Sequence, residues 1–343
     1  MVYSNYANLL YRSQRYEESV KAADVALAIE RELGWKPHPA LTSALSAKAL
    51  ALKHLKQFEA ALAAYDELIP VSNVLNGERN DRTATFLLNK SALLEDLDRD
   101  DEALALLEQA RSVFDDVLAP AHPQRITVYG NLGGLCARLG RWARGREVLA
   151  AILPQMRESL GAGHHRTALA ELYLGLCLEG VDASDEAVEV LERAFASTRA
   201  NYGANDPRTA RIGSTLALLF ARSGSDDARA RDLASAALAA FDGKGSYTTG
   251  TAVAALALAR VHLRGGEFDA GRAQLEACEA AARLARPDHW SLWSAQAELA
   301  LLDDGALEQR QARCAQALAA LEAALGAEHA ECAHVRAKIA ALR

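Results

Sequence analysis

Aromatic residues are scarce in this chain: Phe, Trp and Tyr together make up 6% of its 343 residues. Few β-branched residues accompany them, and no segment reads as a strand. Against an abundance of alanine, leucine, glutamate and arginine, that scarcity excludes a sheet fold and predicts an all-α chain. Long apolar runs are missing as well. None approaches the roughly 18 residues needed to span a bilayer, and the opening MVYSNYANLLYRSQRYEE has neither the basic start nor the apolar core of a secretory signal, so no membrane insertion is expected. Basic clusters are absent: 45 acidic residues face 38 basic ones for a net charge of -7. Without a positive patch, no nucleic-acid partner is expected. The five cysteines, Cys136, Cys177, Cys278, Cys314 and Cys332, are odd in number and widely spaced, with no C-x-x-C pair. A disulfide framework is thereby excluded, and a reducing, cytoplasmic compartment is the expectation.

What the chain does have is a repeat. GAGHHRTALAELYLG (161–175) and GANDPRTARIGSTLA (203–217) share Gly, Ala, Arg, Thr and Ala in the same register, 42 residues apart. The same step from His165 reaches Pro123, Asp81 and Pro39 in one direction and Pro207 in the other. Counted from the Pro39-type position, offset 10 holds Ala7, Ala49, Ser91, Gly133, Gly175, Ala217 and Ala259, always small, as a close helix crossing requires. Offset 9 is mostly leucine (Leu132, Leu174, Leu216, Leu258), and offset 13 is mostly apolar, completing a stripe at helical spacing. A break marked by Gly140, Gly224 or Gly266 follows. An aromatic at offset 19 (Tyr16, Phe58, Trp142, Phe268) then opens a second helix, which ends at a glycine such as Gly34, Gly161 or Gly203.

The unit of helix, turn, longer helix and loop resembles the tetratricopeptide repeat, whose pattern of large, Leu, small, aromatic or apolar, Ala, aromatic and Ala falls on offsets 6, 9, 10, 13, 22, 26 and 29. The 42-residue period and the LG-x-x-HP type of loop are similar to the kinesin-light-chain variety. The resemblance implies a right-handed α-solenoid over residues 1–343, about eight units with first residues near 1, 39, 81, 123, 165, 207, 249 and 290, closed by a capping helix at 330–343. Asp100, Ser184 and Asp226 replace the aromatic at offset 19, and the loss of a buried side chain there predicts softer third, fifth and sixth repeats. Glu171 and Gly213 stand where a large apolar residue is usual. Pro70 and Pro154 fall inside second helices and predict bends, and the glycine-rich DGKGSYTTG (242–250) is the expected hinge.

The chemical motifs are weak by comparison. His38, His122, His164, His289 and His329 all occupy one loop position, where other repeats carry Asn or Asp, so the pair His164 and His165 reads as turn and helix start rather than a metal site. In EHAECAH, His329, Cys332 and His334 lie at i, i+3 and i+5, which do not share a helix face, and the expectation is a buried cysteine beside exposed histidines. GKGS (243–246) lacks the context of a phosphate loop. Glu17, Glu18, Asp226 and Asp227 read as solvated first turns. No cofactor, metal or catalytic residue is expected, and the chain reads as a non-catalytic scaffold.

In the family this chain resembles, first helices line the concave surface and offset 8 faces the groove. Here that offset reads Asn5, Ala47, Asn89, Asn131, Tyr173, Thr215 and Ala257. Recurring asparagine, an indifferent helix former with both a donor and an acceptor, fits an extended peptide backbone. Neighbouring Asn8, Arg211 and Arg260 join the set, the two arginines suited to hold a carboxylate. The resemblance thus implies a protein or peptide partner in the groove. An alternative is the C-terminal sensor region of a larger bacterial signalling protein, a serine/threonine kinase or transcriptional regulator, because the sequence starts inside a first helix with no polar end repeat before Tyr3 and Tyr6.

Overall fold

The computed structural model describes residues 1–34, 36–242, 248–285 and 289–341, which form seventeen α-helices with no strand among the described residues. They belong to two compact units, Met1–Leu135 and Cys136–Arg343. The first holds α1 (Val2–Arg12), α2 (Tyr16–Glu32), α3 (Pro39–His54), α4 (Phe58–Asn76), α5 (Asp81–Asp96) and α6 (Asp100–Val117), with its boundary inside α7 (Pro123–Arg138). The second holds α8 (Trp142–Leu160), α9 (His165–Gly180), α10 (Ser184–Tyr202), α11 (Pro207–Ser223), α12 (Asp227–Phe241), α13 (Thr248–Arg264), α14 (Phe268–Ala285), α15 (Trp290–Leu301), α16 (Leu307–Leu325) and α17 (Ala330–Ala340). Within each unit, successive helices pack against one another, and α1 also lies beside α3 and α11 beside α13.

The 42-residue step is the step of the helix starts, and the loop histidines are the reason the helices start there. Each Nδ1 accepts the backbone N–H two residues on: His38 from Ala40 (3.2 Å), His122 from Gln124 (3.3 Å), His164 from Arg166 (3.2 Å), His289 from Ser291 (3.4 Å) and His329 from Glu331 (3.1 Å). Asn80 and Asp206 do the same work, accepting from Thr83 (2.8 Å) and Arg208 (2.9 Å). A first helix leaves its opening N–H groups without intrahelical partners, and these side chains satisfy one of them. An imidazole can accept at Nδ1 only when that nitrogen carries no proton, so each cap requires the neutral ring with its hydrogen on Nε2. His165 is the first residue of α9.

The turn between paired helices has a second fixed requirement. At offset 17 the backbone is left-handed in each of the first seven repeats: Gly140 (φ 68°), Gly224 (71°) and Gly266 (76°), but also Gln14 (61°), Lys56 (57°), Asp98 (55°) and Asp182 (61°). A side chain there costs about 1–2 kcal/mol, while glycine gives back about 0.5–1 kcal/mol of chain entropy. The balance favours glycine. Lys56→Gly is therefore expected to stabilise the first unit by about 0.5–1 kcal/mol, read as a shift in the urea midpoint.

Between the helices the small positions behave as the spacing predicts. Ala7, Ala49, Ala217 and Ala259 are fully buried, and a Cβ added to Gly175 would lie 2.6 Å from Leu191 Cγ. Glycine is thus required where α9 crosses α10. The aromatics at offset 19 depart from expectation. Tyr16, Phe58 and Trp142 are only half-buried and Phe268 is 61% exposed, so their replacement by Asp100, Ser184 and Asp226 removes no fully buried ring. Asp226 instead caps α12 by accepting from Arg229 N (2.9 Å). Helices α4 and α8 continue through Pro70 and Pro154. Of the hinge proposed at 242–250, residues 243–247 lie outside the described residues.

Candidate partner-binding grooves

In the first unit, α5 and α7 each carry a partly exposed strip between buried residues. On α5 it is Thr85, Asn89 and Ala92; on α7 it is Thr127, Asn131 and Gly134. Steps of four and three residues put each trio on a single helix face. Asn89 is tied to the hydroxyl of Tyr65, whose burial pushes its pKa up against the opposing effect of that bond. Beside the strip, Lys90 pairs with Asp66 (2.6 Å), and one repeat earlier Lys48 pairs with Asp24 (2.7 Å). On α1, Asn5 is exposed. Asn8 is half-buried and donates to Ser43 Oγ (2.6 Å) and Ser4 O (3.2 Å), so its amide joins α1 to α3.

The second unit fills the corresponding surface. On α9 the strip Leu169, Tyr173 and Leu176 remains partly exposed, with the Arg211 guanidinium 5.8 Å from the centre of the Tyr173 ring. On α11 it closes: residues 212–221 are all buried, and Thr215 spends its hydroxyl on Arg211 O (3.3 Å). On α13, residues 254–261 are buried on every side.

Arg260 sits in that sealed stretch at 1% exposure, and it does hold carboxylates, those of its own chain. Its Nε donates to Glu298 Oε1 on α15 (2.7 Å), Nη1 to Glu331 Oε2 (3.1 Å), and Nη2 to Glu331 Oε1 (2.5 Å) and Ser294 Oγ (3.0 Å). Ser294 also donates to Glu331. Arg222 on α11 bonds to Glu179 on α9 and stands 3.9 Å from Glu331. Lys338 on α17 reaches back to Glu298 Oε2 (2.6 Å). Three cations thus meet three carboxylates, all of them largely away from water except Lys338, whose side chain is 32% exposed. Burial is the largest influence on the Glu331 and Glu298 carboxyls and would raise both, but Arg260 together with the other cations, Arg222 at Glu331 and Lys338 at Glu298, outweighs it and holds both below the usual range. His334 lies 3.9 Å from Glu298, and burial together with Arg260 pushes its pKa down to about 4.

The same unit is also tied end to end. Trp142, at the start of α8, donates its indole N–H to Leu325 O at the end of α16 (3.1 Å), and its ring lies 5.2 Å from that of His329. A Cβ on Gly180 would fall 2.2 Å from Trp142 Cγ, so the indole needs glycine at that point of α9.

A tetratricopeptide repeat family model matches residues 40–116, 82–144 and 124–200, and a second tetratricopeptide repeat model matches residues 1–40. The chain belongs to the tetratricopeptide repeat family. It is 24% identical over 162 residues to human tetratricopeptide repeat protein 19, mitochondrial, a match that covers 46% of this chain and 41% of that protein. The chain thus spans about two fifths of that relative's length. Among solved structures, the nearly identical repeats of a kinesin light chain from Podosopora anserina superpose with a TM-score of 0.50 at 17% identity, over 59% of this chain and 95% of that one. The apo form of the quorum sensor NprR from B. thuringiensis gives 0.62 at 10% identity, over 98% and 97%. Both likenesses are of fold.

For a tetratricopeptide repeat chain, the departures from the pattern now have local explanations. Glu171 is buried and held by Arg157 Nε (2.9 Å) and Nη2 (2.5 Å), and its carboxyl is raised because burial outweighs that arginine. Gly213 leaves room for the Phe195 ring, 3.1 Å from where a Cβ would stand. In EHAECAH, Cys332 is buried as expected, with its thiol against Gly326 O (3.3 Å). The two histidines differ from expectation: His329 is buried as the cap of α17, and the His334 side chain is 16% exposed, turned into the ion cluster. Among the described residues no group of three or more His, Cys, Asp or Glu could hold a metal ion, and no helix is long and apolar enough to cross a membrane.

The residues that sequence reasoning missed are Glu179, Arg222, Glu298, Glu331 and Lys338. For Glu298 in SAQAELALL, as for Arg260 in ALALARVHL, the signal was a single charge inside an otherwise apolar run; Arg222, Glu331 and Lys338 stand near other charged residues and carried no such mark. A lone charge in such a run must be paired or neutralised once the helix is buried.

Proposed function

We propose that this chain is a non-catalytic scaffold whose first unit takes an extended segment of a protein partner along α5 and α7. The observation that carries the reading is the pair of partly exposed strips, Thr85–Asn89–Ala92 and Thr127–Asn131–Gly134, repeated one period apart on α5 and α7. A strand-like ligand presents backbone N–H and C=O groups at regular intervals, and an amide side chain meets both. Asn89 and Asn131 are the residues proposed to make those bonds, with Asn5 continuing the set on α1. Asn8 is proposed only as a support, since its amide is spent on Ser43 and Ser4. In the second unit, Tyr173 and Arg211 are proposed to touch a ligand, whereas Thr215 and Arg260 serve the interior.

Membership of a repeat family that serves as an interaction scaffold supports this reading. Losing two backbone-directed hydrogen bonds is expected to weaken partner binding by about 10-fold or more. The test is calorimetry of a partner recovered by pull-down against Asn89→Ala with Asn131→Ala, with unfolding curves to confirm the fold. Unchanged affinity would remove the asparagine ladder.

A further inference from the structure

Most of the exposed large apolar side chains among the described residues lie within residues 1–33. Val2, Tyr3, Tyr6 and Leu9 on α1 and Val25 and Ile29 on α2 are each between 40% and 80% exposed. On α1 they fall on one face, at steps of three and four residues. Later repeats cover that face. At the position of Leu9 stand Ala51, Leu93, Leu135, Cys177, Leu219 and Val261, all of them buried. The α2 residues border the same face: one repeat on, Glu67 holds the position of Val25 and pairs with Arg31 of α2 (3.6 Å), and Val71 holds that of Ile29 and is buried. This edge of a second helix therefore looks toward the repeat before it. Together α1 and α2 present a repeat-stacking face that no described residue covers.

We propose that this face is a homodimer interface, in which α1 and α2 of one copy pack on α1 and α2 of a second copy about a two-fold axis. Area, charge and the far end of the chain choose that occupant. At these exposures the six side chains offer roughly 600 Å² per copy before any polar rim is counted, and a stable dimer buries about 1,200–2,000 Å² over both partners. Helix α1 carries no charged side chain before Arg12, so two identical faces meet without like-charge repulsion. On α2, Lys21 and Glu32 flank Val25 at i−4 and i+7, on its own face. Antiparallel copies of α2, related by an axis level with Ala26 and Leu27, set Lys21 of each beside Glu32 of the other. A head-to-tail chain of copies would instead need an apolar face beyond α17. There Cys332 and Val335 are buried in the core, and the exposed residues Ala333, Arg336, Ala337 and Ala340 include no large apolar side chain. Closed two-fold pairing is the arrangement that matches like with like. The interface uses none of the residues proposed to meet a partner segment.

The test is the mass of the full chain in solution, by light scattering and sedimentation velocity from about 1 to 100 µM, a range suited to a dimer of modest area. A species of twice the chain mass is expected, with no growth beyond it. Tyr6→Glu with Leu9→Glu is expected to weaken dimerisation at least 10-fold, because each new carboxylate meets its own copy in an apolar contact. Helicity and the urea midpoint of the dissociated chain are expected to stay unchanged, since both side chains are exposed there. Lys21→Glu is expected to weaken the dimer about 3-fold or more, and Lys21→Glu with Glu32→Lys to restore it. Leu284→Glu, at another exposed apolar site, is expected to leave it intact. A chain that stays monomeric at about 100 µM would overturn the proposal and leave the face to a different protein. A mass that keeps rising past the dimer, a dimer that survives Tyr6→Glu with Leu9→Glu, or a charge swap that restores nothing would each contradict the two-fold arrangement.

Discussion

Replacing Glu331 by alanine is expected to destabilise the second unit by about 3–5 kcal/mol, the cost of leaving a buried charge without its partner. The reason lies in the count of charges. Arg222, Arg260 and Lys338 balance Glu179, Glu298 and Glu331, with Arg260 at 0% side-chain exposure and Glu331 at 1%. Removing Glu331 leaves Arg260 with Glu298 alone, which Lys338 also claims. The loss therefore exceeds what the truncated methylenes would explain. A control separates charge from packing: Glu331→Met with Arg260→Met is expected to recover most of the loss, because replacing a buried ion pair with apolar groups of similar volume is close to neutral. Urea unfolding followed by tryptophan fluorescence measures it in a Trp35→Phe background, since the other three tryptophans, Trp142, Trp290 and Trp293, all lie in the second unit.

The second large effect is acid sensitivity above the range where carboxylates titrate. His334 is pushed down to about 4, first by burial and then by Arg260, with Lys338 acting in the same direction and Glu331 and Glu298 opposing. The unfolded imidazole takes a proton near 6.5, the folded one only near 4, so the unfolded state binds the extra proton throughout that interval. Stability is complete above pH 6.5 and falls as the pH drops. At about 1.4 kcal/mol per pH unit, the loss approaches about 3 kcal/mol by pH 4. His329, lowered first by burial, adds in the same direction, and its protonation also removes the α17 cap. Glu298 and Glu331, held low by Arg260, contribute stability that is present above their unfolded value and lost as pH falls further. Stability of the second unit measured at pH 7.5, 5.5 and 4.5 is expected to decline already between the first two, and His334→Gln is expected to flatten that decline.

The fold was legible because the sequence repeats it. Pro39, Asp81, Pro123, His165 and Pro207 are each the first residue of a helix, and their spacing alone located α3, α5, α7, α9 and α11. Side-chain size at offset 10 told where helices cross, since a methyl group on Gly175 has nowhere to go. The histidines were legible as turn residues, though not as caps acting through Nδ1, which depends on a two-residue reach visible only in coordinates. Arg260 marks the limit. Its offset and its taste for carboxylates were both readable, but not that the carboxylates would be Glu298 and Glu331, 38 and 71 residues away. A periodic pattern specifies each repeat against its neighbour. It carries no information on how far the stack curls within a unit, and that curl is what brings α17 to α11 and α13. The half-buried aromatics at offset 19 fall short of expectation for a related reason: the family pattern names the residue type and leaves its burial to the local turn.

The claim most exposed to refutation is that partners dock on the polar strips of the first unit. Photo-crosslinking tests it most directly, with p-benzoylphenylalanine placed in turn at Ala92, on the α5 strip, and at Glu67, on the second helix α4. A partner adduct is expected from position 92, lost on competition with unlabelled partner and reduced by Asn89→Ala with Asn131→Ala, and none is expected from position 67. Adducts from position 67 with none from position 92 would contradict the account.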